Sequence, residues 1–153
     1  MKDLVNLIKS KRILVLLLLI IAIGSLWILS FSYSRKTTSS AWNGIVATSF
    51  KSGTGTEESP YEISTPGEYA YLKQLLEGSD SYLYVDKYYV VTEDLNFGGH
   101  DISIGNYVTF QGTLDGKGHA LYNAKVTDFL FYNLSNATIK NVEFDDIDYT
   151  LNE

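Results

Sequence analysis

Residues 110–121 read Phe110-Gln111-Gly112-Thr113-Leu114-Asp115-Gly116-Lys117-Gly118-His119-Ala120-Leu121, and the fold class depends on how this stretch is read. Asp115-Gly116 and Lys117-Gly118 are turn dipeptides, so two extended segments meet here with little chain between them. Upstream, Tyr82–Val85 and Tyr88–Thr92 are aromatic and β-branched, with Asp86-Lys87 between them. Asp94–Phe97 alternates polar and apolar before Gly98-Gly99, and Ile102, Ile104 and Val108 continue the pattern, broken at Gly105-Asn106. Downstream come Ala120–Val126, Phe129–Phe131 and Ala137–Tyr149. Comparable strand starts near Leu95, Leu121 and Ile139 lie 26 and 18 residues apart. Repeats of about 20 residues predict a solenoid, each coil adding a short strand to a stacked parallel sheet. Strand spacing alone also permits an antiparallel β-sandwich.

Ahead of these strands, Thr65-Pro66-Gly67-Glu68 is a helix start. Thr65 caps, Pro66 suits the first helical position, and Glu68 stands three residues after the cap, as a capping box requires. The spacing predicts a helix over Pro66–Glu77, with Tyr69, Leu72, Leu75 and Leu76 on its apolar face. Glu68, Lys73, Gln74 and Glu77 are expected on the polar face, and Gly78 as the left-handed residue that ends it. One amphipathic helix before a run of strands is suited to covering the open end or edge of their sheet. The glycine-rich segment before it, Ala41–Ile63, is punctuated by Trp42, Ile45, Val46, Phe50, Tyr61 and Ile63. Trp42 and Phe50 are expected to anchor that segment to the domain, since Trp is highly buried on average. The alternative for Trp42 is an exposed ring that stacks on a sugar.

The N-terminal third has another character. Ile13–Phe31 is an uncharged run of 19 residues, which as a helix would span about 28 Å, enough for the hydrocarbon core of a bilayer. Lys9, Lys11 and Arg12 precede it and Arg35-Lys36 follow, which orients the N-terminus toward the cytoplasm. Residues 1–12 then form a cytoplasmic basic segment, 13–31 a transmembrane signal anchor, 32–40 a polar linker, and 41–153 an extracytoplasmic domain. Secretion after cleavage near Ser30 to Ser34 is the alternative. From Tyr33 onward eight Lys/Arg face seventeen Asp/Glu, a net charge of −9, which argues against nucleic acid as a partner. The absence of cysteine removes disulfides, thiol catalysis and Cys-based zinc sites together.

Several of these pieces occur in the order found in one family. Trp42-x-Gly44, Ala47-x-Ser49-Phe50, Gly53-x-Gly55-Thr56 and Pro60-Tyr61-x-Ile63 resemble the leading module of bacterial cell-surface proteins built on right-handed parallel β-helices. Glu68-x-Ala70-Tyr71-Leu72 is similar to the helix that follows it there, and Tyr88–Phe97 to that family's first strand. Phe110-x-Gly112-x-Leu114-Asp115-Gly116-x-Gly118-His119-x-Leu121 is similar to its most recognisable motif, and Asn136–Val142 to the next coil of a GLUG-type repeat. Where the repeat reads Gly-Leu-Phe-Gly, this chain has Phe129-Leu130-Phe131-Tyr132. The resemblance spans Trp42–Phe144 and implies a short right-handed β-helix with Phe110, Gly112, Leu114, Asp115, Gly116 and Gly118 as structural motif residues. Only about two coils are present, where a solenoid commonly needs three or more and a cap, so the expectation is the N-terminal part of a longer design or a truncated relative.

Chemistry is sparse. Asp145, Asp146 and Asp148, near Glu143, are the densest acidic cluster. They are weak calcium candidates, lacking the glycine of an EF-hand loop, and a solvated edge that deters sheet association is the plainer reading. His100 and His119 each follow a glycine at a turn, which suits a structural role. Asp115 before Gly116 makes a turn through its own carboxylate more readily than it makes a general base. Asn133-x-Ser135 and Asn136-x-Thr138 match the glycosylation pattern, which coils rich in Asn produce by chance. No catalytic residue or cofactor is therefore assigned. The expected role is non-catalytic: surface display, adhesion, or binding of a glycan or protein. Two alternatives remain: a partial or degenerate polysaccharide-acting lyase or glycosidase, and an assembly subunit that accepts a strand at its C-terminal β edge.

Overall fold

The corner at Asp115 carries the chain from one sheet into the next. Strand β5 (Thr113–Asp115) enters it and strand β6 (Ala120–Thr127) leaves it, and the two do not pair with each other. The Asp115 carboxylate accepts the Lys117 N–H at 2.9 Å and the Gly116 carbonyl accepts the His119 N–H at 2.7 Å. Lys117 and Gly118 both take left-handed backbone, with φ of 51° and 82°. Such a corner is not a hairpin, since the strands on its two sides belong to different sheets.

A computed structural model describes residues 39–127 and 129–150. The expected transmembrane anchor, residues 13–31, lies outside the described residues, as does most of the linker. Among the described residues no helix is long and apolar enough to cross a membrane. The Ser39 carbonyl accepts the Asn96 side-chain amide at 3.0 Å.

The described residues are mainly β with one α-helix. The remaining strands are β1 (Tyr61–Ile63), β2 (Tyr88–Val91), β3 (Leu95–Asn96), β4 (Ile104–Phe110), β7 (Phe131–Leu134), β8 (Thr138–Lys140) and β9 (Glu143–Thr150). They form three sheets, ordered β1-β2-β5-β8, β3-β6-β9 and β4-β7, and none closes on itself. Every pairing between these strands is parallel, the opposite of what an antiparallel sandwich needs. In the first sheet Tyr89 stands opposite Leu114 and Leu114 opposite Ile139, a step of 25 residues each time. In the second, Leu95 faces Leu121 and Leu121 faces Phe144, steps of 26 and 23.

That register corrects the expected repeat. Leu95 and Leu121 do share a column, but Ile139 belongs to the first sheet, and the step is nearer 25 than 20 residues. The cause is Asn141, whose left-handed φ of 53° splits Ala137–Tyr149 into β8 and β9. Tyr82–Val85 is likewise not a strand. Ser81–Leu83 form a 3₁₀ turn in which the Leu83 N–H reaches the Asp80 carbonyl at 3.0 Å, and Tyr82 stays exposed. Strand preference reports fit to a pleated, half-covered surface, and here no neighbouring strand supplies one.

Polar side chains tie one rung to the next. Asn123 donates to Asn96 at 3.0 Å, Asn141 to Asp115 at 3.0 Å, and Asn133 to Thr109 at 3.1 Å. Rungs also pass close to one another: a Cβ on Gly112 would overlap the Lys87 carbonyl oxygen, and one on Gly116 the carbonyl of Asn141. Inside, Tyr89, Leu95, Phe97, Ile104, Phe110, Leu114 and Leu121 are fully buried. Burial fades toward the last strands, where Phe144 is 45% exposed, because among the described residues no strand lies beyond β9.

Helix α1 (Pro66–Glu77) packs its Tyr69, Leu72 and Leu76 against this core. The Tyr69 hydroxyl donates to the Ile102 carbonyl at 3.2 Å, and the Gly105 N–H donates to Glu77 at 2.9 Å, which places the helix over the start of β4. The capping box forms as read: Thr65 accepts the Glu68 N–H at 3.2 Å and Glu68 accepts the Thr65 N–H at 2.9 Å. Two expectations change. Glu68 is buried at 8% exposure, because its Oε2 also accepts the Ser64 N–H and hydroxyl, at 2.7 and 2.9 Å. Gly78 ends the helix extended, at φ −84°, without a left-handed cap. Thr65→Ala should therefore cost about 1 kcal/mol in urea unfolding, and Glu68→Ala more, since it strands several donors at once.

Candidate functional site

Alternation along the first sheet sends Tyr89, Leu114 and Ile139 inward and leaves two columns facing out. One column is Tyr88, Thr113 and Thr138; the other is Val90, Asp115 and Lys140. Together with Glu57 and Lys117 they line a recess of about 420 Å³ on the outer face of the sheet. Tyr89 also lines it, with its hydroxyl committed to the Tyr84 carbonyl, so the recess offers the Tyr88 phenol, two threonine hydroxyls, two carboxylates and two ammonium groups, donors and acceptors suited to a polyhydroxylated or peptide ligand.

Asp115 is the most constrained of these groups, at 8% exposure. Its Oδ1 accepts from Asn141 and from the Lys117 N–H, and its Oδ2 faces the Lys117 ammonium at 3.2 Å and the Lys140 ammonium at 3.6 Å. Burial by itself would raise its pKa. The hydrogen bonds from Asn141 and Lys117, with the Lys117 charge, outweigh that and hold the carboxyl at about 2. At neutral pH it is an ionised, fully engaged acceptor, so it secures the turn and has no proton to give.

The other singled-out residues are dispersed. The His119 Nδ1 lies 3.1 Å from Asp94, which also accepts the Ala120 N–H at 3.0 Å, so this histidine links successive rungs. His100 packs its ring 4.8 Å from that of Trp42. Trp42 is half-buried, edge-on to Phe97 at 6.3 Å, and its indole N–H donates to the Ile45 carbonyl at 2.8 Å, an anchoring arrangement. On β9, Asp145 stands opposite Tyr122 and Asp148 opposite Lys125, while Asp146 takes a left-handed φ of 50° matching Asn123 on the rung before at 51°. Asp146 thus serves a bend, as Asp and Asn do. Among the described residues no three His, Cys, Asp or Glu side chains gather to hold a metal ion.

A second recess, of about 240 Å³, was not foreseen from the sequence. It lies between residues 49–53, β1, α1 and Tyr84, and four of its lining residues, Phe50, Tyr61, Tyr71 and Tyr84, are aromatic. Phe50 stacks on Tyr61 with centroids 4.6 Å apart and meets Tyr71 edge-on at 5.2 Å. The outer-face recess had a legible signal in the pairs Tyr88-x-Val90, Thr113-x-Asp115 and Thr138-x-Lys140, which recur every 25 residues beside an inward apolar residue. The aromatic recess had none beyond the abundance of tyrosine, because its walls come from four separate elements.

Comparison of the chain with models of protein families, with curated proteins and with solved structures finds no match.

Proposed function

We propose that this chain is a bacterial-type surface protein, held by a signal anchor at residues 13–31, that displays a short right-handed parallel β-helix of the GLUG-repeat kind and binds a glycan or protein ligand without catalysis. The observation that carries the reading is the outer-face recess built on the repeating columns of the β1-β2-β5-β8 sheet. The near-constant 25-residue step and exclusively parallel pairing support the solenoid, and parallel connections of this kind are right-handed in about 98% of cases. Binding is favoured over the polysaccharide-acting enzyme because Asp115, one of two carboxylates lining the recess, has both oxygens engaged by Asn141, Lys117 and Lys140. A glycan and surface-protein array probed with the full-length chain in a sugar-free detergent tests this. Retention of one ligand class, weakened by Tyr88→Ala and Lys140→Ala, is the expected result; a blank array removes the reading.

Self-association through the last strand is a second reading, favoured by the exposure of Phe144 and Tyr149 on β9. The acidic residues of that strand oppose it at neutral pH, since two copies meeting there would place like charges opposite one another. Sedimentation of the full-length chain at neutral and acidic pH decides it: oligomers at both values would favour assembly over ligand binding.

A further inference from the structure

We propose that the aromatic recess between residues 49–53, β1 and α1 is a second binding site, which takes a single uncharged pyranose ring. The proposal goes beyond the outer-face reading and does not depend on it, since the two recesses share no lining residue.

Three observations carry it. The first is composition: the recess is lined by Phe50, Tyr61, Tyr71 and Tyr84 together with Ser49, Ser52, Gly53 and Leu75, and none of these residues carries a formal charge. That is notable in a chain of net charge −6, and Lys51, between the two serines in sequence, is not among the lining residues. A charged ligand would find no partner here, whereas a ring with one apolar face and a rim of hydroxyls would find aromatic faces and hydroxyl partners. The second is size. At about 240 Å³ the recess is below the range typical of drug-sized ligands, about 300–1,000 Å³, and suits one ring rather than an extended chain.

The third is rigidity. Phe50 is fixed by Tyr61 at 4.6 Å, Tyr71 at 5.2 Å and Tyr89 at 5.8 Å, and Tyr89 is itself tied by its hydroxyl to the Tyr84 carbonyl at 2.7 Å. Gly53 has a left-handed φ of 94°, and a Cβ there would overlap the Pro60 carbonyl, so the loop lies flush against its neighbour. Preformed walls reduce the ordering cost that otherwise makes binding of so small a ligand undetectable.

Saturation-transfer NMR on the full-length chain carrying Tyr88→Ala and Lys140→Ala, which disable the outer-face recess, tests the proposal in a sugar-free detergent, with methyl glucopyranoside, galactopyranoside and mannopyranoside at millimolar concentration and glucuronic acid as the charged comparison. At least one neutral glycoside should receive saturation through its ring protons, and the uronate should receive none. Ser52→Trp plugs the recess from an exposed position and should reduce transfer to the protein-free level with the thermal midpoint unchanged. Tyr71→Leu should weaken binding about 2- to 10-fold, the worth of one aromatic contact. No transfer to any neutral glycoside, equal transfer to the uronate, or transfer that survives Ser52→Trp would each overturn the proposal, whatever the array shows for the outer face.

Discussion

Leu121→Ala is expected to cost about 2–5 kcal/mol of unfolding free energy, enough to exhaust much of the stability of a small domain. The side chain is fully buried, with Leu95 opposite on one rung and Phe144 opposite on the next. Truncation removes its own transfer free energy and leaves a cavity that parallel neighbours, pinned by their ladders, cannot collapse to fill. Leu95→Ala should cost a similar amount, and Phe144→Ala clearly less, because Phe144 keeps 45% of its surface in water. Double-mutant cycles in urea then test the register itself. Leu121 should couple to Phe144 by about 0.5–3 kcal/mol, and more strongly than to Ile139, which stands opposite Leu114 in another sheet. Stronger coupling to Ile139 would restore the 18-residue step that spacing alone suggested.

The contrast between what could and could not be read in advance follows from the range of the interactions involved. The helix at Pro66–Glu77 was legible to the residue because its cap is local: Thr65 and Glu68 need only each other. The corner at Asp115 was legible for the same reason, as a carboxylate two residues from the N–H it accepts. Glu68 was misplaced on the solvent face because Ser64, which helps to bury it, lies outside the helical period. Strand partners were harder still. Alternation reports which residues face inward but not which rung lies beside them, so Ile139 looked equivalent to Leu121 until Asn141 was seen to bend the chain between β8 and β9. The two recesses depend on that same long-range register. The one on the outer face repeats with the rungs and left a trace in the sequence, whereas the aromatic one joins unrelated segments and left none.

Asp115→Asn should lower stability at pH 7 by roughly 1–3 kcal/mol, the cost of weakening charge-assisted hydrogen bonds at a nearly buried site. Its pH dependence discriminates further. The carboxyl is held at about 2 in the folded chain against an ordinary value of 3.8, so the unfolded chain takes up the proton first as acid is added. The stabilisation is therefore fully present above pH 4 or so, declines as pH falls through the interval between the two values, and is gone below about 2. The gap between parent and Asp115→Asn in urea unfolding should be flat from neutral pH to about 5 and close on the acid side. Asn141→Ala, which removes the first of the hydrogen bonds that lower the value, should shift that closure to higher pH. A gap that stays constant down to pH 2 would mean that ionisation of the carboxyl contributes nothing to the difference, and that the Lys117 and Lys140 charges contribute nothing to it either. The expected closure instead makes the charge at Asp115 a link between two rungs: it turns its own and accepts Asn141 from the next, beside the Gly118 N–H that donates to the Asn141 carbonyl at 2.8 Å.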